Sequence, residues 1–218
     1  MSSALSSLWN GHPSGPLYFA PMKQFDQAYF DKWYRHPTHK VGDAGDLRRQ
    51  VNLAVSAAEY MLARPIRSVL DVGAGEGRWN PIVQRLRPSA TYYGVDPSEY
   101  TVRRYGARRN IVHGTFDDLD ALFPNQRFDL VVCCSVLNYL SRPDMARALR
   151  HLARHTGGVA FLEIFTSEDH VYGDTNEWHT EPPRVYRRML SNAGFTPCGM
   201  HCYVTSALDN NIAALEQL

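Results

Sequence analysis

The sequence lacks an excess of charge of either sign, and this limits the kinds of partner that it can bind. It has 23 lysines and arginines against 22 aspartates and glutamates, which gives a formal net charge of +1 at pH 7. A nearly neutral chain offers no broad field of one sign that would attract nucleic acid or an anionic lipid surface. We therefore expect neither a nucleic-acid partner nor a membrane partner.

The sequence also lacks long apolar runs and a cysteine pattern. No run approaches the roughly 20 apolar residues that a membrane-spanning helix needs. Residues Met1–Asn10 have neither a basic start nor a long apolar core, so we expect no secretory signal. The four cysteines form no C-x-x-C pair, which favours reduced thiols in a cytoplasmic protein over disulfides. The sequence predicts no metal site.

The strongest pattern in the chain is Ser68–Trp79, which reads S-V-L-D-V-G-A-G-E-G-R-W. Its apolar, β-branched start is typical of a buried parallel strand. Glycines at 73, 75 and 77 would let the main chain turn sharply and let a ligand approach the backbone. The amides of a following helix would face the same space. The stretch therefore predicts a nucleotide-binding turn after the first strand of a doubly wound sheet.

Strand-like and helix-like segments alternate along the rest of the chain. The predicted helices are Asp46–Ala63 with Asp46 as its N-cap, Asn80–Leu86, Glu99–Arg109, Pro143–His155 closed by Gly157 and Gly158, Arg184–Asn192, and Asp209–Leu218. The further predicted strands are Thr91–Val95, Asn110–His113, Leu130–Cys133, Val159–Phe165 and Thr196–Thr205. This order predicts an α/β fold with a doubly wound, mostly parallel sheet and helices on both faces.

The glycine spacing distinguishes between two kinds of cofactor. The dinucleotide fingerprint is G-x-G-x-x-G, whereas this chain has G-x-G-x-G with Asp71 two residues before the first glycine. Asp96 follows the second predicted strand, where an acid meets ribose hydroxyls in either kind of site. The spacing therefore disfavours a nicotinamide cofactor.

Four elements occur in one order over about residues 66–165. They are D-V-G-x-G-x-G from Asp71, the acid Asp96, G-T-F-D-D-L from Gly114, and F-D-L-V-V followed by V-L-N-Y-L within Phe128–Leu140. This ordered set resembles the class I, Rossmann-like methyltransferases that depend on S-adenosylmethionine, in particular those that act on small molecules.

The resemblance implies S-adenosylmethionine as cofactor and transfer of its methyl group to an oxygen or nitrogen atom of a small molecule. It implies one compact unit, with a methyltransferase domain over residues 46–218 and an arm with an aromatic lid over residues 1–45. The cofactor residues that it implies are Asp71, Gly73, Gly75, Gly77, Asp96, Thr115, Phe116, Asp117 and Cys133. Asp96 would bind the ribose, and the segment 115–117 would contact the adenine.

Aromatic residues recur at helical spacing between Phe25 and Tyr34, which predicts a helical cap with one aromatic face. The face could simply cover the core, or it could close a cofactor and acceptor pocket, where this family often places an N-terminal helix. The second interpretation makes Tyr29, Trp33 and Tyr34 substrate contacts. Asn138 and Tyr139 join them, because they stand where the family usually has two histidines.

A long polar loop, Thr166–Pro183, follows the fifth predicted strand. Ligands of doubly wound sheets bind at the carboxyl ends of strands, so this loop would lie beside the acceptor. If the acceptor must lose a proton, His170 is the first candidate for the base and His179 the second. A phenol, an amine or a carboxylate could need no base.

Two other classes of function stay open at this point. The chain could be a non-catalytic cofactor-binding or partner protein on the same fold, since fold alone does not determine function. A nicotinamide-dependent oxidoreductase is the second alternative, although the glycine spacing opposes it. The sequence also leaves open whether the protein is a monomer or a homodimer, and which molecule accepts the methyl group.

Overall fold

The computed structural model of the protein describes residues 23–213. Within this range seven strands form one sheet in the order β3-β2-β1-β4-β5-β7-β6. The strands are β1 Ser68–Val72, β2 Thr91–Asp96, β3 Ile111–His113, β4 Phe128–Cys134, β5 Thr156–Glu163, β6 Phe195–Gly199 and β7 Cys202–Thr205. β7 runs antiparallel to β5 and β6, and the other neighbours are parallel. The predicted doubly wound, mostly parallel sheet is confirmed.

The helices lie before, between and after these strands. They are α1 Gln27–Phe30, which continues as a π-helical turn Asp31–Arg35, α2 Ala44–Leu62, α3 Asn80–Leu86, α4 Glu99–Arg109, α5 Leu119–Leu122, α6 Arg142–His155 and α7 Pro183–Asn192. Short 3₁₀ turns cover Phe116–Asp118, Leu137–Tyr139 and Asp209–Asn211. The predicted arm before residue 23 and residues 214–218 of the predicted terminal helix lie outside the described residues. The described start of that predicted helix is wrong, because it forms only the 3₁₀ turn Asp209–Asn211.

Two apolar layers hold the sheet. Successive residues of a strand point to opposite faces, and in β4 Leu130 and Val132 face α2 and α3, whereas Val131 and Cys133 face α5, α6 and α7. All four side chains are fully buried. Burial on both faces explains why β1 and β4 read as nearly continuous apolar runs in the sequence.

Three predicted boundaries are wrong, and the first concerns the cap of α2. Asp43 is the N-cap, and its carboxylate accepts from the Asp46 amide at 2.7 Å while Asp46 accepts from the Asp43 amide at 3.2 Å. This reciprocal pair is a capping box, in which the second acid stands at the third helical position. The prediction placed the cap on the wrong member of the pair.

The second wrong boundary is between α6 and β5. Gly157 and Gly158 do not close the helix but lie inside β5, which starts directly after His155. A Cβ atom on Gly158 would stand 2.1 Å from the carbonyl oxygen of Asp129, at the place where the pairing of β4 and β5 shifts register. Glycine is needed at this position because the two backbones approach closely.

The third wrong boundary is the late strand Thr196–Thr205, which is in fact a hairpin of β6 and β7. Met200 and His201 form its turn, with φ of 50° and 63°. Two successive residues with positive φ make the tight turn whose twist suits a hairpin. The turn escaped prediction because neither residue is the Asn or Gly that usually marks it.

The strand order places a ligand site at one edge of the sheet. From β1 the chain proceeds outward through β2 and β3, and it then returns to the other side of β1 with β4. Such a reversal leaves a crevice at the carboxyl ends of the two central strands, where ligands of doubly wound sheets bind. No helix among the described residues has the length and apolar character that crossing a membrane requires.

Candidate active site

A cavity of about 450 Å³ lies at this reversal of strand order. Its floor is the glycine turn after β1 together with the ends of β2, β4 and β5. Its roof is the aromatic segment 25–34, and its far wall is the loop after β5. The acidic residues in its lining are Asp43, Asp46, Asp71, Asp96, Glu163 and Asp174. Among the described residues, Arg78 is the one arginine or lysine of the lining.

The glycine turn presents bare main chain to the cavity. Gly73 has φ of +74° and Gly75 has φ of +53°, a conformation in which a Cβ atom is strained. A Cβ atom on Gly73 would also stand 2.4 Å from Cγ2 of Val136, and one on Gly75 would stand 3.1 Å from the Tyr34 hydroxyl. The turn therefore requires glycine for its backbone angles and for the close approach of its neighbours.

Asp96 supports the turn from the end of β2. Its Oδ2 accepts from the Gly75 amide at 2.7 Å, and its Oδ1 accepts from the Ser98 amide at 2.9 Å and the Thr101 hydroxyl at 3.1 Å. The side chain is buried, which raises the pKa of its carboxyl, and the two amide hydrogen bonds oppose that rise. Asp96 thus lines the cavity and holds the glycine turn in shape.

Asp71 is the second buried acid beneath the turn. Its Oδ2 accepts from the Tyr92 hydroxyl at 2.5 Å, and the residue lines the cavity. Burial raises the pKa of the Asp71 carboxyl to about 7, although the hydrogen bond from Tyr92 counteracts part of the effect. Near neutral pH this group can therefore exist in either protonation state.

We predict that Asp71→Asn removes a pH-dependent loss of stability. In the unfolded chain an aspartate titrates near about 3.9. The neutral acid therefore stabilises the fold fully below that pH, and this stabilisation is lost as the pH rises to about 7. Between about pH 5 and about pH 7 the wild type should lose about 2 kcal/mol relative to the variant. Urea unfolding of both proteins at the two pH values measures the difference, and equal pH dependence would contradict the prediction.

The aromatic segment is fastened to the glycine turn by Arg35. The Arg35 guanidinium forms an ion pair with the buried Glu76 carboxylate and donates to the Tyr105 hydroxyl at 3.0 Å. The Tyr105 hydroxyl also donates to Glu76 at 3.1 Å. This end of the segment is therefore attached through the residue between the second and third glycines of the turn.

The other end of the segment is fastened to the loop after β5 by Lys23. The Lys23 ammonium forms an ion pair with Asp174 and donates to the carbonyl of Asn176 at 2.9 Å. It lies 4.4 Å from the centre of the Tyr139 ring and 5.7 Å from that of Tyr29. The segment thus spans the cavity between two charged attachments, and the rings of Tyr29, Trp33 and Tyr34 line it.

Glu163 lies at the carboxyl end of β5 and lines the cavity. Its Oε1 accepts from the Gln50 amide nitrogen at 2.9 Å, and its Oε2 accepts from the Ser135 hydroxyl at 2.6 Å. Both donors are neutral. Glu163 and Arg78 are lining residues that our sequence interpretation did not single out.

Other predicted cofactor residues lie outside the lining of the cavity. Gly77 has φ of +65°, and a Cβ atom on it would stand 2.8 Å from the Cδ1 methyl carbon of Ile111. Gly77 therefore shapes the turn and does not face the cavity. Cys133 points into the core on the face opposite to that of Cys134, which does line the cavity.

The segment predicted to contact adenine makes contacts within the protein. Thr115 caps the 3₁₀ turn by exchanging hydrogen bonds with Asp118, and Phe116 packs on the core. Asp117 forms an ion pair with Arg147 at 2.9 Å on the surface. Their roles at a cofactor stay predictions, since none of the three is in the lining.

Asn138 and Tyr139 lie together but differ in surroundings. Asn138 is fully buried, and its side chain donates to the carbonyl of Phe165 at 2.8 Å and accepts from the Phe165 amide at 3.0 Å. It therefore positions the loop, whereas the Tyr139 ring lines the cavity. His170 and His179 are exposed and are outside the lining, so the geometry brings neither to the acceptor space.

Comparison with known proteins gives a family match over most of the chain. The family model described as a methyltransferase domain matches residues 38–209. No curated protein sequence matches the chain.

Solved structures share the fold at low identity. An S-adenosylmethionine-dependent methyltransferase from Archaeoglobus fulgidus has a TM-score of 0.60 at 15% identity, over 77% of this chain and 73% of that one. Magnesium protoporphyrin IX methyltransferase from Synechocystis PCC 6803, with bound S-adenosylmethionine, has a TM-score of 0.53 at 19% identity, over 79% and 83%. Human N-acetylserotonin methyltransferase, also with S-adenosylmethionine, has a TM-score of 0.52 at 17% identity, over 72% and 51%.

The match and the geometry agree. The family model spans the described strands β1 to β7, and the glycine turn with its two buried acids lies where this fold binds a nucleotide. The chain therefore belongs to the methyltransferase domain family and is a class I methyltransferase that depends on S-adenosylmethionine.

Proposed function

We propose that the protein transfers the methyl group of S-adenosylmethionine to an oxygen or nitrogen atom of a small molecule. The observation that carries the proposal is the cavity itself, in which a bare glycine turn and two buried acids face an aromatic roof. Concave pockets with mostly apolar walls and a few polar groups are typical of small-molecule sites.

The residues around the turn suit the charges of the cofactor. S-adenosylmethionine has a carboxylate, an ammonium, a sulfonium and a ribose with two hydroxyls. Arg78 is the lining cation and would bind the carboxylate, while Asp71 would face the ammonium. Gly73 and Gly75 would leave room for the methionine part beside the main chain. The bound cofactor supplies an activated methyl carbon.

Asp96 would bind the ribose through the acceptor capacity that remains on its carboxylate. An ionised carboxylate has about four lone-pair positions, and three protein donors already occupy positions on Asp96. One position is free on Oδ2. A second ribose hydroxyl would have to share a position with the Gly75 amide, so hydrogen bonds from both ribose hydroxyls to Asp96 would require a small adjustment of the turn.

The walls above the turn would position the acceptor. Tyr29, Tyr139, Phe165 and Trp178 surround that space, and the rings of Phe165 and Trp178 stack at 5.5 Å between centres. Holding a nucleophile aligned with the methyl carbon accounts for much of the acceleration in such a transfer. The Trp178 indole nitrogen is buried without a hydrogen-bond partner among the described residues, so it could donate to the acceptor.

Calorimetry with S-adenosylhomocysteine and with NAD tests the cofactor part of the proposal. We expect saturable binding of S-adenosylhomocysteine and no heat from NAD, because the turn has one residue fewer between its last two glycines than a dinucleotide site. Arg78→Met should weaken binding of S-adenosylhomocysteine about tenfold, through the loss of a charged hydrogen bond. Arg85→Met, on α3 and outside the lining, is the matched control. Binding of NAD alone would overturn the proposal.

A non-catalytic binding protein on the same fold is the alternative. It would bind S-adenosylhomocysteine equally well, so calorimetry does not separate the two functions. Incubation with methyl-labelled S-adenosylmethionine and a panel of small amines, phenols and carboxylates does separate them. Transfer of the label to any of these classes favours the enzyme, and tight cofactor binding without transfer to any of them favours the alternative.

A further inference from the structure

We infer that the methyl acceptor is a small amine with an apolar body, and that Glu163 binds its ammonium group and removes the proton. The inference rests on the proposed function and deepens it, because it chooses nitrogen over oxygen and assigns a catalytic residue. It comes from the balance of charge within the cavity, from the surroundings of Glu163, and from the way in which residues of the cavity wall already hold the Lys23 ammonium.

Most of the carboxylates that line the cavity either have a partner within the protein or lie where the cofactor would bind. Asp43 and Asp46 form the capping box of α2, and Asp46 also pairs with Arg49. Asp174 pairs with Lys23. Asp71 and Asp96 lie beneath the glycine turn, where the cofactor would bind. Glu163 is the lining carboxylate that has no cationic partner among residues 23–213 and no place in the cofactor site.

Glu163 has room for a cation. The Gln50 amide and the Ser135 hydroxyl use two of its roughly four acceptor positions and hold the carboxylate toward the cavity. A partly buried carboxylate is costly unless a charge or several hydrogen bonds compensate it. An ammonium ion offers up to three donors and a full positive charge, which is the complement that Glu163 lacks.

The backbone at the end of β4 directs Ser135 to Glu163. Ser135 has φ of +57°, which a residue other than glycine rarely adopts. Its hydroxyl donates to Glu163 at 2.6 Å, and its amide is paired with the carbonyl of the same residue at 3.4 Å. Serine thus occupies a strained position where glycine would fit more easily, and its hydroxyl fixes the orientation of the carboxylate.

Residues of the cavity wall already hold one ammonium ion of the protein, that of Lys23, which itself lies outside the lining. The Lys23 ammonium lies against the rings of Tyr139, Tyr29 and Phe25, at 4.4, 5.7 and 6.0 Å from their centres, and beside the Asp174 carboxylate. Aromatic faces attract cations. Glu163 lines the cavity together with the rings of Phe165 and Trp178, so a carboxylate and an aromatic wall occur there as well, but no lysine among residues 23–213 pairs with this carboxylate.

The reaction is balanced with these groups alone. The acceptor enters as an ammonium ion and gives one proton to the Glu163 carboxylate, which frees the nitrogen lone pair. That lone pair forms a bond with the methyl carbon while the carbon–sulfur bond breaks, and its electron pair stays on sulfur as the neutral thioether. The product leaves as an N-methylammonium ion, and Glu163 returns its proton to water.

Paired probes test the inference on the full chain saturated with S-adenosylhomocysteine. We would titrate it with 2-phenylethylamine, benzylamine and tryptamine, and with 2-phenylethanol as the neutral counterpart. We expect at least one amine to bind at least tenfold more tightly than the alcohol, the effect of one charged hydrogen bond. Mass spectrometry with S-adenosylmethionine should then find the methyl group on nitrogen.

Glu163→Gln is the decisive variant, because it keeps the size and shape of the side chain and removes the charge. The glutamine oxygen can accept from Gln50, and its NH2 group can donate to the Ser135 hydroxyl oxygen. The variant should weaken amine binding at least tenfold and leave the affinity for S-adenosylhomocysteine within a factor of about two. Glu168→Gln is the matched control, since Glu168 lies in the loop that follows β5, is exposed and is outside the lining. It should change neither affinity.

The outcomes separate this inference from the function on which it rests. If S-adenosylhomocysteine does not bind to the wild type, the proposed function itself fails. If it binds but no amine of the panel does, or the alcohol binds as tightly as the amines, the inference alone is overturned. Unchanged amine affinity in Glu163→Gln would also overturn it. Should that variant fail to fold, the comparison of amine and alcohol in the wild type decides.

Discussion

Gly73→Ala is expected to abolish measurable binding of S-adenosylhomocysteine, with at least a hundredfold loss of affinity. The new Cβ atom would lie 2.4 Å from Cγ2 and 2.9 Å from Cγ1 of Val136, at a residue with φ of +74°. The left-handed conformation costs roughly 1–2 kcal/mol for alanine, and overpacking costs about 1–3 kcal/mol more. A hundredfold loss corresponds to about 2.8 kcal/mol, which lies within the sum.

Two further variants separate the strain at Gly73 from the overlap with Val136. Gly194→Ala is the matched control, because Gly194 also has a positive φ of +89° but open space around its would-be Cβ. It should lose about 1–2 kcal/mol of stability and no affinity for the cofactor. Combining Gly73→Ala with Val136→Ala should restore part of the affinity, as a double-mutant cycle would reveal. Wild-type affinity in Gly73→Ala would show that the turn does not carry the cofactor.

Asp96→Ala is expected to weaken binding of S-adenosylhomocysteine at least tenfold and to lower the stability of the free protein. The affinity falls because a hydrogen bond between a charged group and the ribose is worth about 1.5–3 kcal/mol. The stability falls because the buried amides of Gly75 and Ser98 lose their acceptor, at about 1–3 kcal/mol for each. From the sequence alone we would expect the fold to survive, since the acid lies at a strand end instead of in the core.

Thr101→Val is the control for Asp96→Ala, since it removes one donor to Asp96 and keeps the carboxylate and both amide hydrogen bonds. Its affinity for S-adenosylhomocysteine should stay within a factor of about three of the wild type, and calorimetry with thermal unfolding would measure both effects. If Asp96→Ala folds and binds as tightly as the wild type, another residue must bind the ribose.

The fold could be predicted from the sequence because its strands are buried on both faces. Strand β1 and strand β4 appear as nearly continuous apolar runs, and the glycines at 73 and 75 have backbone angles that other residues avoid. Features of that kind are local and need no knowledge of distant contacts. The antiparallel end of the sheet was harder, because the turn at Met200 and His201 uses residues that do not signal a hairpin.

The sequence indicates some residues of the cavity lining and misses others. Asp71 and Asp96 stand at fixed positions next to the glycine turn, and both line the cavity together with Tyr29, Trp33 and Tyr34. Glu163 is different, because its importance depends on Ser135 and Gln50, which lie 28 and 113 residues away in the chain. No local pattern shows which acid will have a cation and which will lack one.

The histidines illustrate the same limit. The sequence favours His170 and His179 as candidates for the base because their loop leaves the carboxyl end of β5. The loop does supply residues to the cavity wall, but they are Asp174 and Trp178. Asn138 determines which residues of the loop face inward, since it binds the backbone of Phe165 and His179 through both its side chain and its carbonyl. The orientation of a loop depends on such long-range hydrogen bonds, which the sequence does not reveal.

A crystal structure of the complex with S-adenosylhomocysteine is the most direct test of the account. We predict that the ligand lies over Gly73 and Gly75 with its ribose at Asp96 and its carboxylate at Arg78. The sulfur would face the space between Tyr139 and Glu163. A ligand bound elsewhere on the molecule, or one in this cavity with Glu163 turned away from the sulfur, would contradict the account.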